Sequence, residues 1–218
     1  FTKFLDEIFA TDPDKKEKIK LLQEFMGYAL IRACHLERWL LLIGNGSNGK
    51  SVFLDVITSL LGTENVAGVQ PSQFEDRFTI AHLHGKLANI ITEIPQGAAL
   101  DDAKMKSLVS GEKITAQYKY GKLFDFEPYA TLIFSANHLP HTKDVSHAFF
   151  RRAEILTFNR QFEGKKRDPD LKEKLAKELP GILNFALDGL KRLIVKRNFT
   201  KVPSSLDVKR EWERAADQ

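Results

Sequence analysis

The 218-residue chain is 43% hydrophobic and 28% charged, the balance of a globular protein, and no apolar run approaches the roughly eighteen residues that would suggest a membrane span. Its net charge of +4 permits an acidic polymer as partner without requiring one, and its single cysteine, Cys34, excludes an intramolecular disulfide or a cysteine-based zinc cluster. The length suits one domain with one core, and the opening at Phe1, without an initiator methionine or signal-peptide pattern, leads us to expect an excised piece of something longer.

In chain order, apolar positions recur at helical spacing from Phe4 to Phe9 and from Ile19 to Ile31, with Asp12-Pro13-Asp14 between them as breaker and helix start. Trp39-Leu40-Leu41-Leu42-Ile43 reads as a buried strand running straight into Gly44-Asn45-Gly46-Ser47-Asn48-Gly49-Lys50-Ser51. A helix opens at Lys50, is amphipathic from Val52 to Leu61 and stops at Gly62. Leu87 to Glu93 reads as a second buried strand whose last residue is acidic. A helix is expected from Asp101 to Val109, then a hairpin in which Ile114 to Tyr118 and Leu123 to Phe126 flank Lys119-Tyr120-Gly121-Lys122. Tyr129 to Ala136 is the third strong strand and ends at Asn137. A loop with Pro140 and Asp144 follows, then Phe149-Phe150-Arg151-Arg152 and a short strand from Glu154 to Phe158. The charged run Glu163 to Asp170 reads as a solvated loop, and Asp168-Pro169 and Leu179-Pro180 as helix starts with proline in the first turn. No internal repeat is visible.

This order divides the chain into an N-terminal helical segment (1–36), a core (37–160) with a hairpin near 113–127, and a C-terminal helical segment (161–218). Strands alternating with helices predict an α/β fold: a parallel central sheet with helices on both faces and ligands at the carboxyl ends of the strands.

Residues 44–51 fit G-x-x-x-x-G-K-[ST], the P-loop, in the strand-to-helix context that the motif requires. The small residues Gly44, Asn45, Gly46, Ser47, Asn48 and Gly49 let successive backbone N–H groups wrap ATP phosphates. Lys50 neutralises the terminal ones, and the Ser51 hydroxyl is placed to ligate Mg²⁺. Glu93, on the same sheet edge, is assigned as catalytic base and second Mg²⁺ contact; the position before it is Thr92 where many P-loop enzymes carry an aspartate. Asn137 is expected to orient the attacking water or touch the γ-phosphate. Arg151 and Arg152 suit transition-state charge across a subunit interface, with Arg152 narrowly preferred and one of the two expected to pack its stem or cap a carbonyl.

Lys119, Tyr120 and Lys122 place cations and a ring at a hairpin tip, suiting phosphate contact and base stacking on single-stranded DNA, although charged tips are commonly just solvated. Lys104 and Lys106 suit a phosphate or an exposed face. His82 and His84 alternate along a strand-like segment and His138 and His141 flank Pro140; neither pair has metal-ligand spacing, so both read as structural.

The order of landmarks is more specific than any one motif: Gln23-Glu24-Phe25-Met26-Gly27-Tyr28, Asn48-Gly49-Lys50-Ser51, Gly85-Lys86, Lys106-Ser107-Leu108-Val109-Ser110-Gly111-Glu112, Ser135-Ala136-Asn137-His138-Leu139-Pro140, Phe150-Arg151-Arg152 and Glu178-Leu179-Pro180-Gly181-Ile182-Leu183-Asn184-Phe185-Ala186-Leu187. Together they resemble the superfamily 3 helicase domain of phage and plasmid primase-helicases, related to the poxvirus primase-helicase, over nearly the whole chain. The resemblance implies an AAA+-type core, assembly as a homo-oligomer, usually a hexameric ring, and ATP-driven 3′ to 5′ movement along single-stranded DNA. It implies Glu93 as Walker B acid, Asn137 as polar sensor, Arg151 or Arg152 as the arginine acting in trans, and Lys119 and Lys122 on a channel hairpin. A primase domain is expected on the same full-length chain but outside this segment, and the location is the host cytoplasm.

Two other readings compete. One is a nucleotide-gated DNA-binding or initiator scaffold that does not unwind; the other, ranked last, is a small-molecule P-loop kinase, for which no acceptor site is recognisable.

Overall fold

Alternate residues of the buried strands supply two separate apolar layers. Leu40 and Leu42 face one side with Ala88, Ile90, Ile133 and Leu156; Trp39 and Leu41 face the other with Ile91, Leu132, Phe134 and Ile155. That period of two on a fully buried sheet requires helices on both faces, and the computed structural model, which describes residues 1–142, 144, 146–164 and 168–216, places them there.

The elements run α1 (Thr2–Ile8), α2 (Lys15–Tyr28), β1 (Trp39–Ile43), α3 (Lys50–Leu61), β2 (Val66–Ala67), α4 (Arg77–Ile80), β3 (Ala88–Ile91), α5 (Asp102–Ser110), β4 (Ile114–Gln117), β5 (Leu123–Phe126), β6 (Thr131–Ala136), α6 (His147–Phe150), β7 (Ala153–Thr157), α7 (Leu171–Ala176), α8 (Leu179–Lys196) and α9 (Pro203–Ala216). The central sheet has five strands in the order β2-β3-β6-β1-β7, all parallel, and β4 and β5 pair separately as an antiparallel hairpin. The α/β architecture expected from the sequence is present. Among the described residues, no helix is long and apolar enough to cross a membrane.

Helices α1, α2, α3 and α8 cover one face. Phe4, Leu5, Leu22, Phe25, Phe53 and Ile182 share a single core with the sheet, so the N-terminal helices are packed into the same layer as the strands. Helices α5, α6 and α9 and the root of the hairpin cover the other face through Met105, Leu108, Ile114, Phe126, Phe149 and Trp212. The Trp212 indole N–H donates to the buried Pro140 carbonyl at 2.8 Å, satisfying the one polar atom of that ring.

Local expectations differ from the structure at identifiable points. The segment of His82 and His84 is a 3₁₀ turn over Ala81–Leu83, not strand-like: Asp76 caps α4 through Phe78 N, and Ile80, Ala81 and Leu83 are the buried residues, a helical rather than alternating spacing. β3 ends at Ile91, so Glu93 lies two residues beyond the strand rather than closing it. Asp168-Pro169 precedes α7 instead of forming its first turn, whereas Pro180 does sit in the first turn of α8. The charged run from Glu163 to Asp170 falls in part, at 165–167, outside the described residues. The two-residue β2 has no counterpart in the sequence reading, whereas the polar α9 falls within the expected C-terminal helical segment without bounds of its own there.

The closest helix pair is α2 against α8, where backbones touch. A Cβ at Gly189 would collide with the Gln23 carbonyl and stand 2.8 Å from Glu24 N, and a Cβ at Gly27 would stand 2.7 Å from Leu190 N. Gly189→Ala is therefore expected to lower stability by about 1–3 kcal/mol through forced separation of the helices. Gly181→Ala on the same helix, where nothing lies within 4 Å, should raise it by about 0.5–1 kcal/mol. Denaturant unfolding of the two variants checks both signs.

Candidate active site

The glycine-rich loop leaves β1 at the carboxyl edge of the sheet, between the ends of β6 and β7. In register, Ile43 lies beside Ala136 and Thr157, so Asn137 and Phe158 are the next residues on either side of Gly44. Both neighbours hold the loop. Gly44 N donates to the Ala136 carbonyl at 3.3 Å, Phe158 N donates to the Ile43 carbonyl at 2.7 Å, and Phe162 N donates to the Ser47 carbonyl at 2.7 Å. Gly44 passes so close to the Phe158 carbonyl that a Cβ there would collide with it. Gly49, the residue capping α3, has φ of +91°, a backbone that favours glycine, and turns the chain into the helix.

Asn48 is the loop's internal brace. Buried, it donates through Nδ2 to the Phe158 carbonyl at 3.2 Å and offers Oδ1 to the Lys50 ammonium at 3.3 Å. The Lys50 ammonium also donates to the Gly44 carbonyl and to Asn137 Oδ1 at 3.4 Å. Asn137 Nδ2 in turn donates to Glu93 Oε1 at 3.3 Å. The three groups expected to converge thus form one run of contacts, Lys50 to Asn137 to Glu93, over the loop. Burial pulls the Lys50 ammonium below its usual pKa and the Glu93 carboxylate opposes that shift.

Glu93 is exposed and held by its flanks: Ile94 N donates to the Ser135 carbonyl at 2.8 Å, and the Gln70 amide donates to the Glu93 carbonyl at 3.2 Å. Ser51 is exposed in the first turn of α3. Among the described residues, no group of three or more His, Cys, Asp or Glu side chains could hold a metal ion. Ser51 and Glu93 offer one hydroxyl and one carboxylate, a sparse donor set that suits Mg²⁺ shared with phosphate oxygens rather than an all-protein cage.

The two arginines separate. Arg152, with an 11% exposed side chain, pairs with Glu37 at 2.6 Å and donates to the Ala148 carbonyl at 2.7 Å. Arg151 is 51% exposed and reaches only 3.9 Å from Glu37. Of the two, Arg152 takes the carbonyl-capping role expected of one of them, and Arg151 is the more exposed guanidinium, loosely paired with Glu37. Both precede β7 and so stand at the amino edge of the sheet, while the loop stands at the carboxyl edge. That strand alone spans roughly 13 Å, which puts Arg151 out of reach of its own chain's loop.

At the hairpin, Tyr120 is 93% exposed with Lys119 over its ring at 5.2 Å, and Lys119 and Lys122 are exposed. The root is built from aromatics: Tyr118 stacks on Phe124 at 5.0 Å, and His84 packs on Phe124 and Phe126 and lies 3.3 Å from the Tyr118 hydroxyl. His84 is structural, as its spacing suggested. Lys106 pairs with Asp144 at 2.6 Å. The bond of Asn48 to Phe158, those of Gln70 to Glu93 and Phe162 to Ser47, and the Glu37 partner of Arg152 have no local signal, since each partner lies more than twenty residues away.

The model of a family described as "Family of unknown function (DUF5906)" matches residues 42–152, just over half of the chain, including the loop, Glu93, the hairpin, Asn137 and both arginines. Among solved structures, the apo NrS-1 C-terminal region is similar with a TM-score of 0.73 at 13% identity, over 100% of this chain and 51% of that one. The A form of the apo NrS-1 C-terminal region gives 0.65 at 15% identity, over 85% of this chain and 44% of that one. The likeness is one of fold, and the chain spans about half the length of the solved chains it matches.

Arg152→Ala is expected to cost about 1.5–3 kcal/mol of stability, the loss of charge-assisted hydrogen bonds, whereas Arg151→Ala should stay within about 0.5 kcal/mol of the parent. Equal losses in urea unfolding would contradict this division of roles.

Proposed function

The chain belongs to the DUF5906 family, a family of unknown function, and we propose that it is the ATPase motor of a DNA helicase or translocase that hydrolyses ATP at subunit interfaces. The observation that carries this reading is the run of contacts from Lys50 through Asn137 to Glu93 above the glycine-rich loop. The fold shared with the NrS-1 C-terminal region supports the architecture, and the ordered landmarks of the sequence support the helicase class.

In this mechanism the loop amides of residues 44–51 and the Lys50 ammonium bind the β- and γ-phosphates. The ammonium exchanges its present acceptors, the Gly44 carbonyl and the Asn48 and Asn137 amides, for phosphate oxygens. Ser51 and Glu93 would hold Mg²⁺, which would supply positive charge against those oxygens. Water attacks the γ-phosphorus, the bond to the ADP oxygen breaks, and the proton of the water passes to the Glu93 carboxylate. Asn137, already bonded to Glu93, holds the line of attack. Arg151 of one copy neutralises charge at the site of the next, because the length of β7 separates it from its own. Loss of the γ-phosphate releases that contact, so neighbouring copies shift and carry their hairpins with them. The assembly is a ring, six-membered on the resemblance, and Lys119, Tyr120 and Lys122 grip single-stranded DNA.

Steady-state ATP hydrolysis across protein concentrations tests the motor. Turnover should rise with assembly and with added single-stranded DNA, and fall at least a hundredfold in Lys50→Ala and in Glu93→Gln. ATP bound without turnover in the parent protein would favour the nucleotide-gated scaffold.

The double substitution Lys119→Ala with Lys122→Ala should weaken strand binding and reduce the slope of log affinity against log salt by about 0.7 per phosphate contact removed, with nucleotide affinity unchanged. An unaltered salt slope would remove the hairpin from the DNA interface.

A further inference from the structure

At the amino edge of the sheet, far from the glycine-rich loop, a cavity of about 270 Å³ opens between β7, the 198–202 segment and α9. Its wall carries the cations Arg38, Arg151, Lys201 and Lys209 against the carboxylates Glu154 and Glu213. Arg38 and Glu154 satisfy each other at 3.2 Å, and Arg38 also donates to the Leu36 and Glu37 carbonyls. Setting that pair aside leaves Arg151, Lys201 and Lys209 against Glu213 in the wall, with Arg151 also 3.9 Å from Glu37 outside it.

Among the described residues, two groups in this wall make no hydrogen bond through their polar atom. Ser205 is 5% exposed, and its hydroxyl is buried with no hydrogen-bond partner. Lys209 stands one turn further along the same face of α9, half-buried, and makes no hydrogen bond or ion pair within 4 Å among the described residues. Burial depresses the Lys209 pKa, Arg38 adds to that shift, and the Glu154 and Glu213 carboxylates oppose it. A desolvated ammonium beside an unbonded hydroxyl is unfavourable as it stands and becomes favourable once an anion bonds to both.

We propose that this cavity is a second anion site that takes the phosphoryl group of a small phosphate compound, bound by Lys209 and Ser205 within and by Arg151 and Lys201 at the exposed rim. Three cations and a hydroxyl donor match a multiply charged, multi-oxygen anion better than a single carboxylate. Recession favours a small ligand over a polynucleotide backbone, which meets protruding cations; here the two unpartnered groups lie inside. The apolar side chains of Phe199, Val202 and Leu206 on the same wall suit the organic part of a phosphate ester. The site needs neither the glycine-rich loop nor a second copy of the chain.

The test is calorimetric titration of inorganic pyrophosphate into Lys50→Ala protein, where the loop does not compete, at concentrations at which sedimentation shows a monomer. One saturable site per chain is expected, weakened at least tenfold by Lys209→Met and severalfold by Ser205→Ala. If Lys209→Met does not fold, Ser205→Ala carries the comparison. Competition by adenosine monophosphate would support a small phosphate ester as the ligand. Competition by a 5′-phosphorylated oligonucleotide alone, binding that appears only on assembly, or affinity indifferent to the substitutions would each overturn the proposal.

Discussion

The buried ammonium of Lys18 ties together the parts on which the candidate site rests. Fully buried in α2, it donates to Asp12 at 2.9 Å and to the Thr157 hydroxyl and carbonyl at 2.9 and 3.0 Å, with Asp14 at 3.9 Å. Asp12 also accepts from Asn159 at 2.9 Å, and Asp14 accepts from Ser204 N at 2.8 Å. One cation therefore joins the turn between α1 and α2, the carboxyl end of β7 and the start of α9. Removing a charge from water costs several kcal/mol, offset here by the ion pair with Asp12 and the bonds to Thr157, while Asp14 Oδ1 contributes charge at 3.9 Å without a hydrogen bond. A chain that must gather such a set around one point has few alternative packings. The residue after Thr157 is Phe158, whose carbonyl receives the Asn48 brace. The position of the glycine-rich loop is thus set from beneath by a group that never approaches the phosphate site.

The same strand carries the other half of the proposed chemistry. β7 ends at the Lys18 network on the carboxyl edge and begins next to Arg151 and Arg152 on the amino edge, with buried side chains between. A short, fully packed strand transmits position rather than absorbing it. Arg152 fixes the amino end through Glu37 and the Ala148 carbonyl, and Arg151 beside it is half exposed with only a 3.9 Å contact to Glu37. The proposed reach of Arg151 into a neighbouring copy would draw on that support: a rigid base from its own chain and a weakly held guanidinium.

What was legible in the sequence follows from the range over which each feature is encoded. β1 was readable to the residue because Trp39 to Ile43 is a continuous apolar run ended by a glycine motif, and the hairpin because two runs flank a short polar turn. Both are local. The choice between Arg151 and Arg152 depends on Glu37, more than a hundred residues earlier, and no window around the arginines contains it. β2 is only Val66–Ala67 and has too few residues to show a period. α9 was legible only as part of a C-terminal helical segment, without its bounds, because its charged residues dominate its composition, while its buried contacts are few, chiefly Ser205 and Trp212. The convergence of Glu93 and Asn137 was readable, since it follows from strand order in a parallel sheet. The reach of Glu93 past the end of β3 was not, because it depends on the Ile94 bond to β6.

The hairpin shows how a mobile-looking element can be held to the catalytic edge. Its root is clamped by His84, which begins the short connection through Gly85, Lys86 and Leu87 into β3, the strand that delivers Glu93. Tyr118 stacks at that root while Tyr120, two residues on, projects bare into solvent with φ of +66°. The turn is tightened by Gly121 N donating to the Tyr118 carbonyl at 2.8 Å and by the Gln117 amide donating to the Gly121 carbonyl at 2.8 Å. Rigidity below and exposure above would suit the proposed strand grip: a clamped root would pass any displacement of β3, the strand leading to Glu93, on to the tip.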